Sequence, residues 1–253
     1  MPARIDGSAP EPSEGESSPA PGEPTPDRVR GIFSLIARRY DAFNILSSFG
    51  IDRLWRREAV RAARATRTSR VLDLCAGTGD LALAMARLGR PAEVVATDFV
   101  PEMLEVAERK ARSYSGRTKL AFQVADAQDL PFPDASFDVV TVAFGVRNLP
   151  DRAANFAEVM RVLKPGGRYV VLEFSRPGFA PWRWFYHAYL RLVVPTIGGL
   201  LAGDRASFVY LNDSIRAFPI QSALAAELRK AGFSAISWED RTGGVVAIHV
   251  AVK

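Results

Sequence analysis

The sequence predicts an α/β protein: a doubly wound, mostly parallel sheet of seven strands that closes with an antiparallel pair. Three observations carry this expectation. Five short apolar runs, Val71–Leu74, Val94–Asp98, Phe122–Asp126, Phe137–Phe144 and Arg168–Phe174, are separated by segments with helical character. The first run breaks at a small-residue loop, Cys75-Ala-Gly-Thr-Gly79, and is followed by the helix formers Leu81-Ala-Leu-Ala-Met-Ala-Arg87. The last two runs, Ala235–Glu239 and Val245–Val252, are joined by a link through Gly243-Gly244 so short that they must be antiparallel.

Residues 1–27 stand apart. They are rich in Pro, Glu, Ser and Gly, have no aromatic residue, and carry Asp6, Glu11, Glu14, Glu16, Glu23 and Asp27 against Arg4 alone. Such a segment buries too little surface to offset its ordering entropy, so a disordered acidic tail is expected there. It lacks the basic start and apolar stretch of a signal peptide, and nothing in it suggests export. The chain as a whole has a formal charge of +5, so the remaining residues 28–253 carry roughly +10. That excess suits an anionic membrane surface or a solvated face. No arginine-rich run or aromatic-interleaved basic stripe marks a nucleic-acid surface.

In residues 28–66, Ile32, Phe33, Leu35, Ile36, Phe43, Ile45, Leu46, Leu54 and Trp55 recur with helical spacing, and Gly50 separates two helices. Preceding the first strand, these helices are free to fold over the carboxyl ends of the sheet as a lid, or to pack against its edge. Within the first, Tyr40-Asp-Ala-Phe-Asn44 sets polar and aromatic groups at adjacent and i+4 positions.

The glycine loop admits more than one reading. Gly77 and Gly79 let backbone N–H groups and a helix N-terminus approach a ligand. Gly77-Thr-Gly-Asp-Leu-Ala82 also satisfies the dinucleotide fingerprint, so a nucleotide-cofactor oxidoreductase is an alternative, and a structural turn another. The acids that follow weigh against both. Asp98 ends the second strand about 20 residues after the glycines, placed to accept from two ribose hydroxyls. Asp126, beside Ala127, ends the third, and Asp73 lies at the end of the first. Three carboxylates around one crevice repel a pyrophosphate and attract S-adenosylmethionine, which has no phosphate and carries a sulfonium and an ammonium. The loop reads as a methyl-donor site, and the antiparallel closing pair favours a Rossmann-like methyltransferase sheet of class I over a dehydrogenase.

Pro101–Arg112 is a helix with proline in its first turn and acids before bases. Directly beyond the fourth strand comes Gly145-Val-Arg147-Asn148, and Lys164-Pro-Gly-Gly167 turns into the fifth. Before the last helix, Gln221–Ala231, lies an insert at 175–220 whose first half holds Trp182, Trp184, Phe185, Tyr186, Tyr189 and Leu190. Arg183, Arg191 and Pro195 interrupt it, so it does not read as a membrane span. It suits an amphipathic helix lying on a membrane, a wall for an apolar substrate, a homodimer surface or ordinary core. The single cysteine, Cys75, excludes an internal disulfide and fits a cytoplasmic protein. It reads as a small buried side chain rather than a nucleophile. His187 and His249 stand alone without ligand spacing, and no metal site is expected.

Three stretches resemble the signatures of the quinone-biosynthesis C-methyltransferases, which act on demethylmenaquinol and the matching ubiquinone precursor. They are Tyr40-Asp-Ala-Phe-Asn-Ile-Leu-Ser-Ser-Phe-Gly50 with Leu54-Trp55, Phe144-Gly-Val-Arg-Asn148, and Arg161-Val-Leu-Lys-Pro-Gly-Gly-Arg-Tyr-Val-Val-Leu-Glu-Phe-Ser175. The likeness runs from about Val29 to Lys253. It implies a polyprenylated quinol acceptor and a methyl donor contacted by Thr78, Asp98, Asp126 and Ala127; peripheral contact of a cytoplasmic protein with the inner face of a membrane is one reading of the basic excess and the aromatic insert. The family often has serine where this chain has Ala143, and a histidine or similar group where it has Asp52. An alternative within the class is methylation of another lipid or small phenol.

The chemistry of such a reaction assigns roles. A quinol carbon becomes nucleophilic when the neighbouring hydroxyl loses its proton, so the site must stabilise a phenolate and align two reactants. Arg147 cannot act as a base, its pKa being above about 12, but it can stabilise the phenolate, with Asn148 orienting the ring oxygen. Tyr40 or Asp41 is the expected proton relay.

Overall fold

A computed structural model of the chain describes residues 25, 30, 31, 33, 34, 37, 39–202 and 205–253. The expected 1–27 tail therefore lies outside the described residues, Thr25 apart. Residues 30, 31, 33 and 34 are helical, and α1 (Tyr40–Ser48) and α2 (Asp52–Ala63) follow, parted by Phe49 and Gly50, both in the left-handed region. The core alternation follows: β1 (Arg70–Leu74), α3 (Asp80–Ala84, continued by a π turn over Met85–Gly89), β2 (Glu93–Asp98), α4 (Pro101–Ala111), β3 (Lys119–Val124) and β4 (Phe137–Ala143). A short 3-10 turn, Val146–Asn148, leads to α5 (Arg152–Val162) and β5 (Leu163–Phe174). The insert forms α6 (Ala180–Ala202) and α7 (Arg205–Ala217), and α8 (Gln221–Lys230), β6 (Ser234–Arg241) and β7 (Val246–Val252) end the chain.

The seven strands make one sheet in the order β3-β2-β1-β4-β5-β7-β6. The first five are parallel, and β7 runs antiparallel between β5 and β6, as the short Gly243-Gly244 link requires. The strand order reverses between β1 and β4, and an open α/β sheet binds its ligand in the crevice beyond that reversal. Alternation along β1 builds both sides of the sheet. Val71 joins a core with Trp55, Ala59 and Val60 of α2 and Leu81 of α3, whereas Leu72 and Leu74 join Phe156 and Val159 of α5 and Leu224 and Leu228 of α8.

Several boundaries differ from expectation; the fifth strand, for one, begins at Leu163 rather than Arg168 and takes in the expected turn at 164–167. The third strand stops at Val124 rather than Asp126. It is the sheet's edge, only half buried, and the Asp126 carboxylate accepts the backbone N–H of Gln128 at 2.8 Å, turning the chain before the strand can continue.

Helix α6 leans on α1 and α7, and its aromatic residues close the space above the sheet. Tyr189 donates to the carbonyl of Ser47 in α1 at 2.7 Å, and Trp182 donates to the carbonyl of Thr242 in the β6–β7 link. Trp55 of α2 donates to the hydroxyl of that same Thr242 at 2.9 Å. Lid, insert and closing hairpin are thus tied together by three hydrogen bonds over the carboxyl ends of the strands. No helix of the described residues is long and apolar enough to cross a membrane.

Candidate active site

Two adjoining cavities lie beyond the carboxyl ends of β1, β2, β4 and β5. The first is bounded by the β1–α3 loop (Cys75, Gly77), the end of β2 and its continuation (Asp98, Phe99, Val100, Met103), Asp126-Ala127 and Ala143. The second encloses about 220 Å³ under α1, α2 and α6. Its wall is largely aromatic, with Phe43, Trp55, Phe144, Phe174, Trp182 and Tyr186. An apolar cavity of about 150 Å³ holds a benzene, so the second takes a larger ring system. Phe33, Tyr40, Phe144 and Asn148 border both.

The glycine loop is built by close approach. Gly79 has φ of 79°, and a Cβ there would stand 2.8 Å from the Cβ of Ala107 in α4. Gly145 faces the loop from the other side, where a Cβ would meet that of Cys75 at 2.4 Å. Glycine at both positions lets the loops after β1 and β4 and helix α4 converge on one crevice. Asp98 fixes the loop's shape: its carboxylate accepts the N–H of Gly77 at 2.8 Å and that of Val100 at 3.0 Å. Burial raises the Asp98 pKa, against those backbone bonds. Asp73 is buried more deeply. One oxygen accepts from Thr141 of the neighbouring strand at 2.7 Å, the other has no partner, and burial lifts its pKa to about 7.

Burial, and then the nearby carboxylates Asp98, Asp73, Asp126 and Glu173, push the Cys75 thiol well above its ordinary value. Cys75 is therefore a protonated, packed side chain, and the crevice around it is a region of negative potential. That field and the open approach to Gly77 fit a cationic ligand without phosphate. Gly77, Asp98, Asp126 and Ala127 border the first cavity, as does Ala143. Gly79 and Asp73 act from behind it, one shaping the loop and the other setting the field.

Thr78 and Asp41 are brought together differently from expectation. Neither borders a cavity; the Thr78 hydroxyl donates to the Asp41 carboxylate at 2.5 Å, and Lys110 of α4 reaches Asp41 at 2.7 Å and pairs with Asp80. Asp41 thereby latches α1 to the glycine loop and α4. Of the two residues expected to relay a proton, Tyr40 alone lies on the shared wall. Its hydroxyl is hydrogen-bonded to Asn44, and burial raises its pKa against the nearby charges of Arg147 and Arg56, so it stays protonated at neutral pH.

Arg147 sits at the floor of the second cavity, on the 3-10 turn after β4. Its guanidinium donates to Glu173 at 2.9 Å and to the carbonyl of Phe144, and stands 5.2 Å from the centroid of the Phe174 ring. Its side chain is 3% exposed and that of Glu173 is 1%. Glu173 also accepts the N–H groups of Arg147 and Phe174. Burial raises its pKa while Arg147 opposes the rise. Asn148, beside it, accepts from the hydroxyl of Tyr210 at 3.4 Å. A second guanidinium, Arg56, pairs with Asp52 and lies over the Phe144 ring at 5.4 Å. The aspartate at 52 thus supplies the counter-charge for a buried arginine, and accepts from Ser48 at 2.9 Å as well.

Sequence reasoning missed Glu173 and Arg56, and the apolar trio Phe99, Val100 and Met103, while Tyr186 lies on the wall that the aromatic insert offered as one reading. The trio had a signal, since it directly follows Asp98. Glu173 had one too, as a carboxylate inside an otherwise apolar central strand. Among the described residues no group of three or more His, Cys, Asp or Glu comes together as a metal would need.

Comparison with known proteins places this geometry. The model of the ubiE/COQ5 methyltransferase family matches residues 23–253. The demethylmenaquinone methyltransferase of Thermus thermophilus is 48% identical over 219 residues, covering 87% of this chain and 98% of that one. The ubiquinone/menaquinone biosynthesis C-methyltransferase UbiE of Proteus mirabilis is 42% identical over 226 residues, covering 89% and 90%. Among solved structures the [4+2]-cyclase SpnF superposes with a TM-score of 0.65 at 21% identity, covering 92% of this chain and 97% of that one, a likeness of fold alone. With a family match over nearly the whole described chain, the dinucleotide reading of the glycine loop gives way, and the chain belongs to the ubiE/COQ5 methyltransferase family.

Proposed function

We propose that the protein transfers a methyl group from S-adenosylmethionine to a ring carbon of a prenylated quinol, converting demethylmenaquinol to menaquinol. The observation that carries this reading is the pair of cavities sharing the wall of Tyr40, Phe144 and Asn148, one lined by acids and the other by aromatic rings. Asp98 and Asp126 would hold the donor's ribose and base, the Gly77 backbone would face its amino-acid end, and Phe99, Val100 and Met103 offer an apolar wall to its adenine. When bound, this donor supplies an electrophilic methyl on a sulfonium.

The protein's part is to make the acceptor carbon nucleophilic and to aim it. The aromatic cavity holds the quinol ring and excludes water, which strengthens every charge interaction inside it. Arg147 stabilises the ring oxygen as it loses its proton, and being fixed by Glu173 and the Phe144 carbonyl it need not reorganise to do so. Asn148 and Tyr40, on the shared wall, orient that oxygen and the adjacent carbon toward the donor. The quinolate carbon would supply the electron pair of the new carbon–methyl bond as the sulfur–methyl bond breaks and its pair stays on sulfur as a neutral thioether, and the hydrogen on that carbon would leave as a proton to water, restoring the aromatic ring.

The prenyl chain has an exit. The aromatic cavity is lined in part by Phe49, 78% exposed, and Phe185, and the helices around it, α1, α2 and α6, also expose Leu46, Leu54, Trp184 and Leu192. Exposed apolar side chains around the cavity, above a body that is basic overall, suit a protein seated peripherally on the cytoplasmic face of a membrane from which it draws its substrate.

Titration with S-adenosylhomocysteine and with NADH, followed by turnover of a short-chain demethylmenaquinol with and without reductant, tests the reading. S-adenosylhomocysteine should bind, NADH should not, and methylation should require reductant, because the oxidised quinone has no hydroxyl to ionise and an electron-poor ring. Equal rates on the oxidised quinone would refute the reading.

A further inference from the structure

Tyr186 stands in α6 with its side chain turned into the aromatic cavity, 6% exposed, and its hydroxyl has no hydrogen-bond partner. A buried hydroxyl without a partner costs more than one that is paired. Several other polar groups around this cavity are paired. Trp55 and Trp182 donate to Thr242, Tyr189 donates to Ser47, Asn148 accepts from Tyr210, and the carboxylate of Asp52 holds Arg56. Among the buried side-chain atoms around it, Tyr186 Oη and the Nε–H groups of Arg147 and Arg56 have no partner.

The position of Tyr186 says what it would meet. Tyr40, Phe144 and Asn148 border both cavities, but Tyr186 borders only the aromatic one. An acceptor ring whose reacting carbon and activating oxygen lie at the shared wall presents its far edge toward α6. In a quinol the oxygen on that edge is para to the activating one. It is meta to the reacting carbon and gives it no electron density, so its proton is better kept than removed. A neutral phenol is the right partner for it, and Tyr186 is held neutral by burial, which raises its pKa further than the field of Arg147 lowers it.

Resting on the methyl-transfer reading above, we propose that Tyr186 binds the second ring oxygen of the acceptor and so makes the site selective for a para-diol over a mono-ol. Tyr186 here is a specificity residue: it positions the ring and takes no part in moving the methyl group or the proton. The selectivity is asymmetric, as it is wherever a site built to bond a hydroxyl meets a ligand without one.

The test compares a short-chain prenylated naphthalenediol with the matched prenylated naphthol that retains the activating hydroxyl and lacks the second oxygen. Each is assayed with wild-type protein and with Tyr186→Phe. Wild type should favour the diol by about tenfold in kcat/KM, mostly through KM, the scale of one neutral hydrogen bond. In Tyr186→Phe the ratio should fall to about one while affinity for S-adenosylhomocysteine stays at the wild-type value. A packing role would lower the rates on both acceptors together and leave the ratio alone. An unchanged ratio in Tyr186→Phe, or a wild type indifferent to the second oxygen, overturns the assignment of Tyr186 and leaves methyl transfer standing. A wild type that methylates neither compound, yet binds S-adenosylhomocysteine, overturns the acceptor reading and the assignment with it.

Discussion

Replacing Arg147 by glutamine tests whether its charge serves the reaction or only the fold, provided Glu173 is changed in parallel. Arg147→Gln alone leaves the Glu173 carboxylate, 1% exposed, without its counter-charge. Stranding one partner of a buried pair costs about 3–5 kcal/mol. Glu173 limits that loss by taking up a proton, for which burial has already prepared it by raising its pKa. A carboxyl whose folded pKa is raised stabilises the fold fully below its unfolded pKa and loses that contribution as pH rises through the folded value. The penalty of Arg147→Gln should therefore be near its full size at about pH 8 and much smaller at about pH 5. Arg147→Gln/Glu173→Gln removes both charges and keeps two amides that can bond each other, so most of the stability should return. Urea midpoints at the two pH values measure this, and kcat on the quinol measures the other half. If the guanidinium stabilises the phenolate, kcat should be lower by about 10²–10³ in the single and in the double variant. A stable double variant with wild-type kcat would reduce Arg147 to a strand-end cap. A single variant destabilised by less than about 1 kcal/mol at about pH 8 would refute the electrostatic account of the pair.

Three further outcomes are expected. Asp98→Asn should weaken S-adenosylmethionine binding by about 2 kcal/mol in calorimetry, since charge-assisted bonds are lost while the amide oxygen can still accept from Gly77; unchanged affinity would remove Asp98 from the donor site. Trp184→Ser should reduce sedimentation with anionic vesicles, Trp184 being 75% exposed, whereas Trp182 is stacked on Phe185 and bonded to Thr242 and contributes through packing; equal sedimentation of Trp184→Ser and wild type would reject the membrane face. Asp73, with its pKa lifted to about 7, favours the fold when protonated, so its stabilisation is complete below the ordinary carboxylate range and is lost as pH rises to about 7. Asp73→Asn should gain on wild type across that window and level off above it, and parallel urea-midpoint profiles would contradict the burial of that charge.

What the sequence made legible was whatever has a short period or an obligatory residue. Strand, glycine loop, helix and terminal acid could be read because Gly79 has no room for a side chain and Asp98 must end its strand to reach the loop. The closing antiparallel pair followed from a link too short for a crossover. The partners of charged groups were harder. Glu173 lies 26 residues from Arg147, and only the parallel pairing of β4 with β5 brings them together. Asp41 sits next to Tyr40 in a stretch that invited one role for both, yet on a helix adjacent residues point about 100° apart. One faces the shared wall and the other the glycine loop. Tyr186 was one aromatic residue among many in the insert; its distinction is a missing hydrogen bond, which only the packed structure reveals.

The same pairing resolves a conflict built into the reaction. On the proposed mechanism, a guanidinium that stabilises a phenolate beside the shared wall would also act on whatever occupies the acid-lined cavity across it. At an effective dielectric of about 20, two like charges roughly 8 Å apart repel by about 2 kcal/mol, enough to weaken a sulfonium donor some thirtyfold. Glu173, 2.9 Å from the guanidinium, turns that isolated charge into a dipole whose field falls off faster with distance. Across the wall Asp98 and Asp126 would then dominate, while a ring oxygen against Arg147 would still meet the near end of the dipole. Lys110 is treated alike, held by Asp41 and Asp80 at the back of the glycine loop. Arg147 and Lys110 are thus each countered by a carboxylate, which would let one small site accept a cation in one half and raise an anion in the other.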